Sequence, residues 1–263
     1  MSIMDKMVQA GVPRYLHEFS RKYFQMEVTG EENLINSAES NCMFVMNHTA
    51  FFGLEVYLWA SYLLTVDPDQ KLKTLVWSGF TNGPAGMWFR ALQCKPAKIQ
   101  NGIDLLKSGN SVLIMPEGVG ATDVRNRFNH FHTGFLRMVQ GHPVPIIPIG
   151  FYGVDQSIPW FVSHNKWLVE KIMKPVDPTF DFMLIPKLPV FRPTKIVFKI
   201  GKPIHLTQEE LNTEEKIQQK TLDIQHTIEK LVDDAEHYRE NVVNQSPVNK
   251  IFHKLLQGHL TYF

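Results

Sequence analysis

The chain has 263 residues, 44% of them hydrophobic and 20% charged, which is enough for one large α/β domain or two small domains with a substantial core. Its 27 lysines and arginines nearly balance 26 aspartates and glutamates, and the net charge of +1 argues against a nucleic-acid-binding protein and an acidic disordered chain. With only two cysteines, Cys42 and Cys94, we expect a reducing compartment and neither a disulfide scaffold nor a cysteine metal motif.

The first half of the chain alternates short apolar runs with segments long enough for helices. Strands are predicted at Cys42–Asn47, in KTLVWS, at Ser111–Met115 and in VPIIPIGFYG. Helices are predicted in the run that ends at Val66, from Pro84 onward, in NGIDLLKSG with Gly109 at its end, and in GFLRMVQG. This alternation predicts a single α/β domain whose mixed, mostly parallel sheet is flanked by helices.

The longest apolar stretch, Ala50–Val66, has 17 residues and contains Glu55. A helix that crosses a bilayer needs about 20 mostly apolar residues. The N-terminus also lacks the long apolar region of a signal peptide. We therefore expect a soluble or membrane-peripheral protein.

The second half of the chain is less regular before it becomes helical. Residues 157–193 are rich in proline and aromatic residues and are interpreted as an irregular insertion, after which KIVFKIGKPIHL predicts a strand. A capping box at Thr207–Glu210 is expected to open a long amphipathic helix. One side of that helix carries Ile217, Leu222, Ile228, Leu231, Val232 and Ala235. The predicted segments are an amphipathic helical segment at 1–26, an α/β core at 27–206, and a C-terminal helix and tail at 207–263.

His48 follows the first predicted strand, and Glu55 interrupts the apolar run after it. Such a histidine is either a polar core residue or helix cap, or a general base that a carboxylate orients and stabilises when protonated. On one continuous helix the two side chains would lie about 10 Å apart along the axis, too far for a hydrogen bond. Pairing therefore requires His48 to lie in a turn before the helix, which Gly53 is well placed to permit.

A second group of candidate site residues is the turn Pro116-Glu117-Gly118, directly after the strand Ser111–Met115. At the carboxyl edge of a sheet, such a turn directs Glu117 and backbone amides into a crevice. Arg125 and Arg127 follow it, and they are either ligands for a phosphate or solvated surface residues.

Other kinds of site have weaker support. Gly118 and Gly120 begin a dinucleotide-like fingerprint, but Asp123 stands at its third glycine position. His130 and His132 have the alternating spacing of metal ligands, but no cluster at a familiar spacing completes such a site, so we expect no metal. Nucleophile-elbow and zinc-protease motifs are absent from the sequence, so a histidine base would act on a hydroxyl of the substrate.

Four motifs in chain order resemble the glycerophospholipid acyltransferase family, which includes glycerol-3-phosphate and lysophosphatidate acyltransferases. They are NH after a strand, MPEG after a later strand, VPIIPIG, and KIGKPI before the C-terminal helix. The resemblance covers the chain from Val28 to the helix after Leu206. It implies an acyltransferase-like fold with His48 as the general base. Gly53 occupies the aspartate position of the family's His-x4-Asp motif, and Glu55, two residues later, is the expected replacement.

The same resemblance implies an acceptor-binding turn, because MPEG matches the family's FPEG element. The arginine that usually follows is replaced by Val119-Gly120, and the family's earlier arginine motif is also missing. Both departures favour a neutral or differently charged acceptor over glycerol phosphate. The implied acceptor-binding residues are Pro116, Glu117, Gly118, Lys98, Arg125 and Arg127.

The implied reaction moves a fatty acyl group from acyl-CoA or acyl-ACP, as co-substrate, to a hydroxyl of a lysophospholipid or related lipid, without a cofactor. The implied partners are lipid substrates, a membrane surface and acyl carrier protein, with no nucleic acid, and the implied location is peripheral on the cytoplasmic face of a membrane. Two alternatives stay open, a catalytically inactive lipid-binding protein of the same shape and a nucleotide-binding α/β protein.

The N-terminal segment has apolar residues at helical spacing with basic residues between them. They are Met4, Met7, Val8, Val12, Tyr15, Leu16 and Phe19. This pattern is typical of an interfacial helix, although a helix that docks on the protein's own core has a similar composition. The insertion Trp160–Phe191 and the tail IFHKLLQGHLTYF are further candidates for lipid contact or for ordinary packing.

Overall fold

The computed structural model describes residues 3–48, 53–78, 81, 89, 93–118, 130–157, 160–174, 183–186 and 191–245. Its main helices are α1 (Ile3–Gln9), α2 (Val12–Tyr23), α3 (Leu54–Val66), α4 (Ile99–Lys107), α5 (Gly134–Gly141) and α6 (Glu214–Gln245). Its strands are β1 (Glu27–Thr29), β2 (Met43–Met46), β3 (Leu72–Val76), β4 (Lys95–Pro96), β5 (Ser111–Ile114), β6 (Ile146–Tyr152), β7 (Trp160–Ser163), β8 (Met183–Pro186) and β9 (Val197–Ile200).

Seven strands form one sheet in the order β1-β9-β6-β2-β5-β3-β4. Every neighbouring pair in it is parallel except β6 and β9, which are antiparallel. The prediction of a mixed, mostly parallel sheet flanked by helices is therefore confirmed. Strands β7 and β8 pair with each other in a separate two-stranded sheet.

Strand β2 lies in the middle of the sheet and is buried on both faces. Phe44 and Met46 belong to one core cluster, which includes residues of α3, while Met43 and Val45 belong to another, which includes residues of α5 and α6. Alternate side chains of one strand therefore enter two different layers, as expected for a parallel strand covered by helices on both faces.

Helix α3 is largely buried, apart from the exposed Tyr57 and Val66, because it is packed between the sheet and α2. On the sheet side, the ring of Trp59 meets that of Phe44 with centroids 5.7 Å apart. On the other side, His17 of α2 packs against Tyr62 with centroids 5.5 Å apart. The apolar run of the sequence is thus a helix sandwiched inside the protein, and the N-terminal segment forms the two helices α1 and α2.

The capping box at Thr207 is present, but it opens a 3-10 turn, Gln208–Leu211, and not the long helix. Helix α6 begins six residues beyond the expected start because Thr213 supplies a second cap: its Oγ1 accepts a hydrogen bond from the backbone N–H of Lys216 at 3.3 Å. The expectation of a single helix starting at the capping box was therefore wrong at its N-terminus.

Helix α6 packs closely on the sheet. It crosses β6 at Gly150, where any larger side chain would overlap Leu231. Leu222 and Leu231 are only partly buried, although the sequence pattern predicted them on the apolar face. The side chains of α6 that are buried in the core are Ile217, Ile224, Ile228, Val232 and Ala235.

The insertion expected at 157–193 contains more regular structure than predicted. Besides the β7–β8 hairpin, it has a helical turn, Lys166–Leu168, that continues as a π-helical turn, Val169–Met173. The helix predicted from Pro84 and the C-terminal tail lie outside the described residues. In the part of the chain that the structure describes, every helix is too short or too polar to span a bilayer.

Candidate active site

The loops after β2 and β5 meet at the carboxyl edge of the sheet. These strands are parallel neighbours, with Val45 opposite Ile114, so the loops that follow them emerge side by side. There the backbone N–H of His48 donates a 2.7 Å hydrogen bond to Oε1 of Glu117. Since β5 and β6 lie on opposite sides of β2, this edge is also a point where the chain crosses over within the sheet, a usual place for ligand crevices.

The second partner of His48 is Glu55, whose Oε1 is hydrogen-bonded to Nδ1 of the imidazole. Helix α3 starts at Leu54, and Gly53 precedes it in a left-handed conformation with φ of +63°. His48 therefore precedes the helix instead of lying on it, which removes the 10 Å separation that a continuous helix of about two turns would impose. Glu55 lies in the first turn of α3, where the helix dipole favours a negative charge.

The pair is shielded from solvent to different degrees. Glu55 is fully buried, and its Oε2 has no hydrogen-bond partner among the described residues. The side chain of His48 is 14% exposed, so it remains partly accessible. Removing either partner would leave the other group buried without compensation, which is costly.

The surroundings favour the protonated form of His48. Burial opposes the charge on the ring, but the charge of Glu55, its hydrogen bond to the ring and the charge of Glu117 together raise the pKa of His48 above its ordinary value. With Glu55 ionised, Nδ1 carries the proton of the neutral ring, and Nε2 presents the lone pair. This tautomer is the one that a general base requires.

Asn47 is a site residue that the sequence reasoning missed. Its buried side chain exchanges two hydrogen bonds with the backbone of Phe151: Nδ2 donates to the carbonyl oxygen at 3.2 Å, and Oδ1 accepts from the N–H at 3.0 Å. These bonds tie the end of β2 to β6 and fix the chain immediately before His48. A polar amide at the end of a buried strand was the available signal, because such a group must find partners inside the protein.

The turn Pro116-Glu117-Gly118 is held by backbone geometry. The N–H of Gly118 donates to the carbonyl of Met115 at 3.1 Å, and Gly118 adopts φ of +76°, a region that disfavours other residues. Glu117 is 3% exposed and has contacts besides the one to His48. His132, which the sequence raised only as a metal-ligand candidate, also lies at this turn, where its N–H donates to the carbonyl of Pro116 at 2.9 Å.

The predicted cations are not brought together with this pair in the described part of the chain. Lys98 is exposed and caps the N-terminus of α4 with its backbone. It follows β4, the third strand from β2, and is thus about 14 Å away across the sheet at ~4.8 Å per strand. Arg125 and Arg127 lie outside the described residues. The roles of all three stay predictions.

The described residues show neither a cluster of metal ligands nor an easily ionised thiol. Within them, no three side chains of the His, Cys, Asp and Glu types are grouped as metal ligands. Burial raises the pKa of the Cys42 thiol to about 12 and that of Cys94 to about 11, so neither thiol ionises readily near neutral pH.

The chain is similar to known acyltransferases in sequence and in fold. The family model described as acyltransferase matches residues 25–152, a range that contains His48, Glu55 and Glu117. The crystal structure of the 1-acyl-sn-glycerophosphate (LPA) acyltransferase PlsC from Thermotoga maritima is similar with a TM-score of 0.53 and 19% sequence identity. The match covers 84% of this chain and 80% of that chain, and it shows a common fold. No curated protein sequence matches the chain.

Proposed function

We propose, from the match of residues 25–152 to the acyltransferase family model, that the chain transfers a fatty acyl group from a thioester to a hydroxyl of a lysophospholipid. The observation that carries the proposal is the contact between Nδ1 of His48 and Oε1 of Glu55, beside the turn that bears Glu117. The similar Thermotoga maritima protein is an acyltransferase of 1-acyl-sn-glycerophosphate, which supports a lysophospholipid as the acceptor class.

In this mechanism, Nε2 of His48 removes the proton from the acceptor hydroxyl as its oxygen attacks the thioester carbonyl. Glu55 stabilises the imidazolium that forms and holds the ring in position. The tetrahedral intermediate then collapses: the C–S bond breaks, an ester remains, and the departing thiolate takes the proton from His48. The carrier, coenzyme A or acyl carrier protein, leaves as its thiol. Neither a covalent acyl-enzyme nor a cofactor takes part.

The oxygen of Glu117 has a supporting role in the same scheme. It accepts the backbone N–H of His48, so it fixes the main chain of the base rather than its ring. Its negative charge also contributes to the raised pKa of His48. The charges of two carboxylates, Glu55 and Glu117, thus act on one imidazole. They favour the charged state that the ring reaches during proton transfer.

We also propose that the protein works at a membrane surface, because both product and acceptor are amphiphiles. Helix α2 exposes 74% of Tyr15, 46% of Leu16 and 55% of Phe19, and Arg14 and Arg21 are exposed on the same helix. Exposed apolar side chains beside basic ones suit an interfacial helix on anionic lipid. The free thiols of the two buried cysteines are consistent with the cytoplasmic face, where thiols stay reduced.

Transfer of a labelled acyl group to lysophospholipids by the purified protein tests the function. Acyl-CoA and acyl-ACP are offered separately, with lysophospholipids of several head groups and a monoacylglycerol as acceptors. We expect His48→Ala to lower the rate by about 10²- to 10⁴-fold, the usual contribution of a general base. A matched control is His142→Ala, which changes a partly exposed histidine at the C-terminus of α5. Equal rates for His48→Ala and the unchanged protein would overturn the mechanism, and a protein that binds lipid without turnover would be the inactive alternative.

A further inference from the structure

His132 lies against the turn that carries Glu117, although it belongs to a different part of the chain. A Cβ atom added to Gly118 would be 3.3 Å from Cδ2 and 3.4 Å from Nε2 of the His132 ring, closer than most such contacts. The imidazole therefore packs directly on the Cα of Gly118. The backbone hydrogen bond from His132 to the Pro116 carbonyl, at 2.9 Å, holds this arrangement from the other end of the turn.

The position of His132 relative to the catalytic pair follows from these contacts. Gly118 is adjacent in sequence to Glu117, and Oε1 of Glu117 accepts the N–H of His48 at 2.7 Å. The ring of His132 and the backbone of His48 are thus both in contact with the same three-residue turn. They differ in environment, because His48 is largely buried whereas His132 is exposed.

We propose that His132 binds the phosphate of the acceptor lipid's head group, a role that rests on the function proposed above. A protonated imidazole donates charge-assisted hydrogen bonds to phosphate oxygens, which are among the stronger polar contacts in proteins. Its Nε2 lies 3.4 Å from the Cβ position of Gly118, so a head group bound there would lie at the turn whose Glu117 holds the His48 backbone. The missing arginine by itself favours a neutral or differently charged acceptor, but a protonated His132 at this turn would supply the cation that the missing arginine leaves out.

The contact also accounts for glycine at position 118 in a way that the turn alone does not. A left-handed φ of +76° favours glycine by itself, and the ring of His132 adds a tight contact of 3.3 Å for any Cβ at this position. Gly109 has nearly the same φ, +72°, with no atom within 4 Å of the corresponding Cβ position. Contact with a neighbouring ring therefore constrains Gly118 but not Gly109.

The experiment compares two acceptors with the same acyl chain, lysophosphatidate and monoacylglycerol, in steady-state acyl transfer by the full chain. For His132→Ala we expect the KM for lysophosphatidate to rise about tenfold, the loss typical of one hydrogen bond to a charged group. The kcat, the KM for the thioester and all constants for monoacylglycerol should stay unchanged. His132→Lys should restore the KM for lysophosphatidate, because it returns a cation. His130→Ala, a change of the exposed histidine two residues away, should match the unchanged protein.

A general fall in kcat with both acceptors, or the same change in His130→Ala, would overturn the proposal. Proton NMR of the imidazole Cε1–H, with glycerol 3-phosphate as probe, provides a readout that does not depend on turnover. A His132 signal that shifts with the probe supports the assignment even if no acyl transfer is detected, a result that would count against the proposed function alone. An unshifted His132 signal overturns the assignment even in an active enzyme.

His132→Gln, whose side chain is polar but uncharged, should bind the probe more weakly than His132→Lys; equal binding would also contradict the proposal.

Discussion

Glu55 reaches Nδ1 of His48 across a change of secondary structure, because His48 follows strand β2 whereas Glu55 belongs to the first turn of α3. The seven-residue spacing thus begins before the helix and ends in its first turn. The left-handed conformation of Gly53 directs the chain into α3 at the point where Glu55 can face back toward His48. A carboxylate two residues beyond the usual aspartate position therefore lies within hydrogen-bond reach of the ring.

We predict that Glu55→Gln lowers kcat/KM by about 10²-fold, since the amide neither stabilises the imidazolium nor enforces the tautomer of His48. The pH profile distinguishes this role from a structural one. A general base must be unprotonated, so activity falls as the pH drops below the raised pKa of His48. Loss of the Glu55 charge lowers that pKa, and the acidic limb of kcat/KM should move to lower pH.

The matched control for this variant is Glu215→Gln. Glu215 is also a carboxylate in the first turn of a helix, but it is exposed on α6. Its rate and pH profile should equal those of the unchanged protein. An acidic limb that stays in place in Glu55→Gln, despite a lower rate, would show that Glu55 does not set the pKa of the base.

Part of the candidate site could be predicted from the sequence, and the pairing of His48 with Glu55 is the clearest example. The strand end, the turn at Gly53 and the need for a carboxylate partner were all inferable, and the parallel strands β2 and β5 explain why Glu117 joins them. The hydrogen bond from the His48 backbone to Glu117 was not inferable, because it depends on how far the two loops extend beyond the sheet. The packing of His132 on Gly118 was hidden for the same reason: the two residues are 14 positions apart, and no periodic pattern links them.

The elements of the fold also divide into those that the sequence predicts and those that it does not. Buried strands such as β2 and β6 were predictable because continuous apolar runs persist on both faces of a covered parallel sheet. The start of α6 was not, since two caps, Thr207 and Thr213, compete within seven residues, and only tertiary packing selects where the long helix begins. Strand β1 was also missed, because its three residues are only half-buried and its pairing with β9 is set by distant sequence.

Gly118→Ala is predicted to impair both stability and activity. A Cβ at φ of +76° lowers the free energy of unfolding by about 1–2 kcal/mol, and its 3.3 Å contact with the His132 ring is tight enough that the ring or the turn must move by a few tenths of an ångström. A shift of the turn would move Glu117, whose Oε1 holds the His48 backbone, so we expect kcat to fall as well. Gly109→Ala, at φ of +72° with open space around it, should cost stability alone. Chemical denaturation and acyl-transfer rates measure the two effects; equal rates in both variants would mean that the turn tolerates the side chain.

Asn47→Ala is predicted to lower the free energy of unfolding by about 2–3 kcal/mol, because two backbone groups of Phe151 lose their buried partners. The kcat should fall as well, since the end of β2 no longer holds His48 against Glu55. The control is Asn41→Ala. The side chain of Asn41 donates to the carbonyls of Leu106 and Asn110, at the opposite end of the same strand. This variant should lose stability while its kcat remains unchanged, and a comparable loss of kcat in both would attribute the effect to general destabilisation.

Exchange of Tyr15, Leu16 and Phe19 for serine is predicted to release the protein from anionic vesicles. Each of these side chains is exposed on α2, and burial of a large apolar side chain contributes about 1.5–3 kcal/mol, so the partition coefficient should fall by well over tenfold. Flotation of the full chain with phosphatidylglycerol vesicles measures the bound fraction.

The control is Ile99→Ser, which removes an apolar side chain that is 41% exposed at the start of α4 and should leave binding unchanged. Turnover of an acceptor below its critical micelle concentration should be similar in all these proteins, because α2 lies on the far side of α3 from the sheet and supplies neither His48 nor Glu55. Retained flotation of the serine variant would show that another surface binds the membrane.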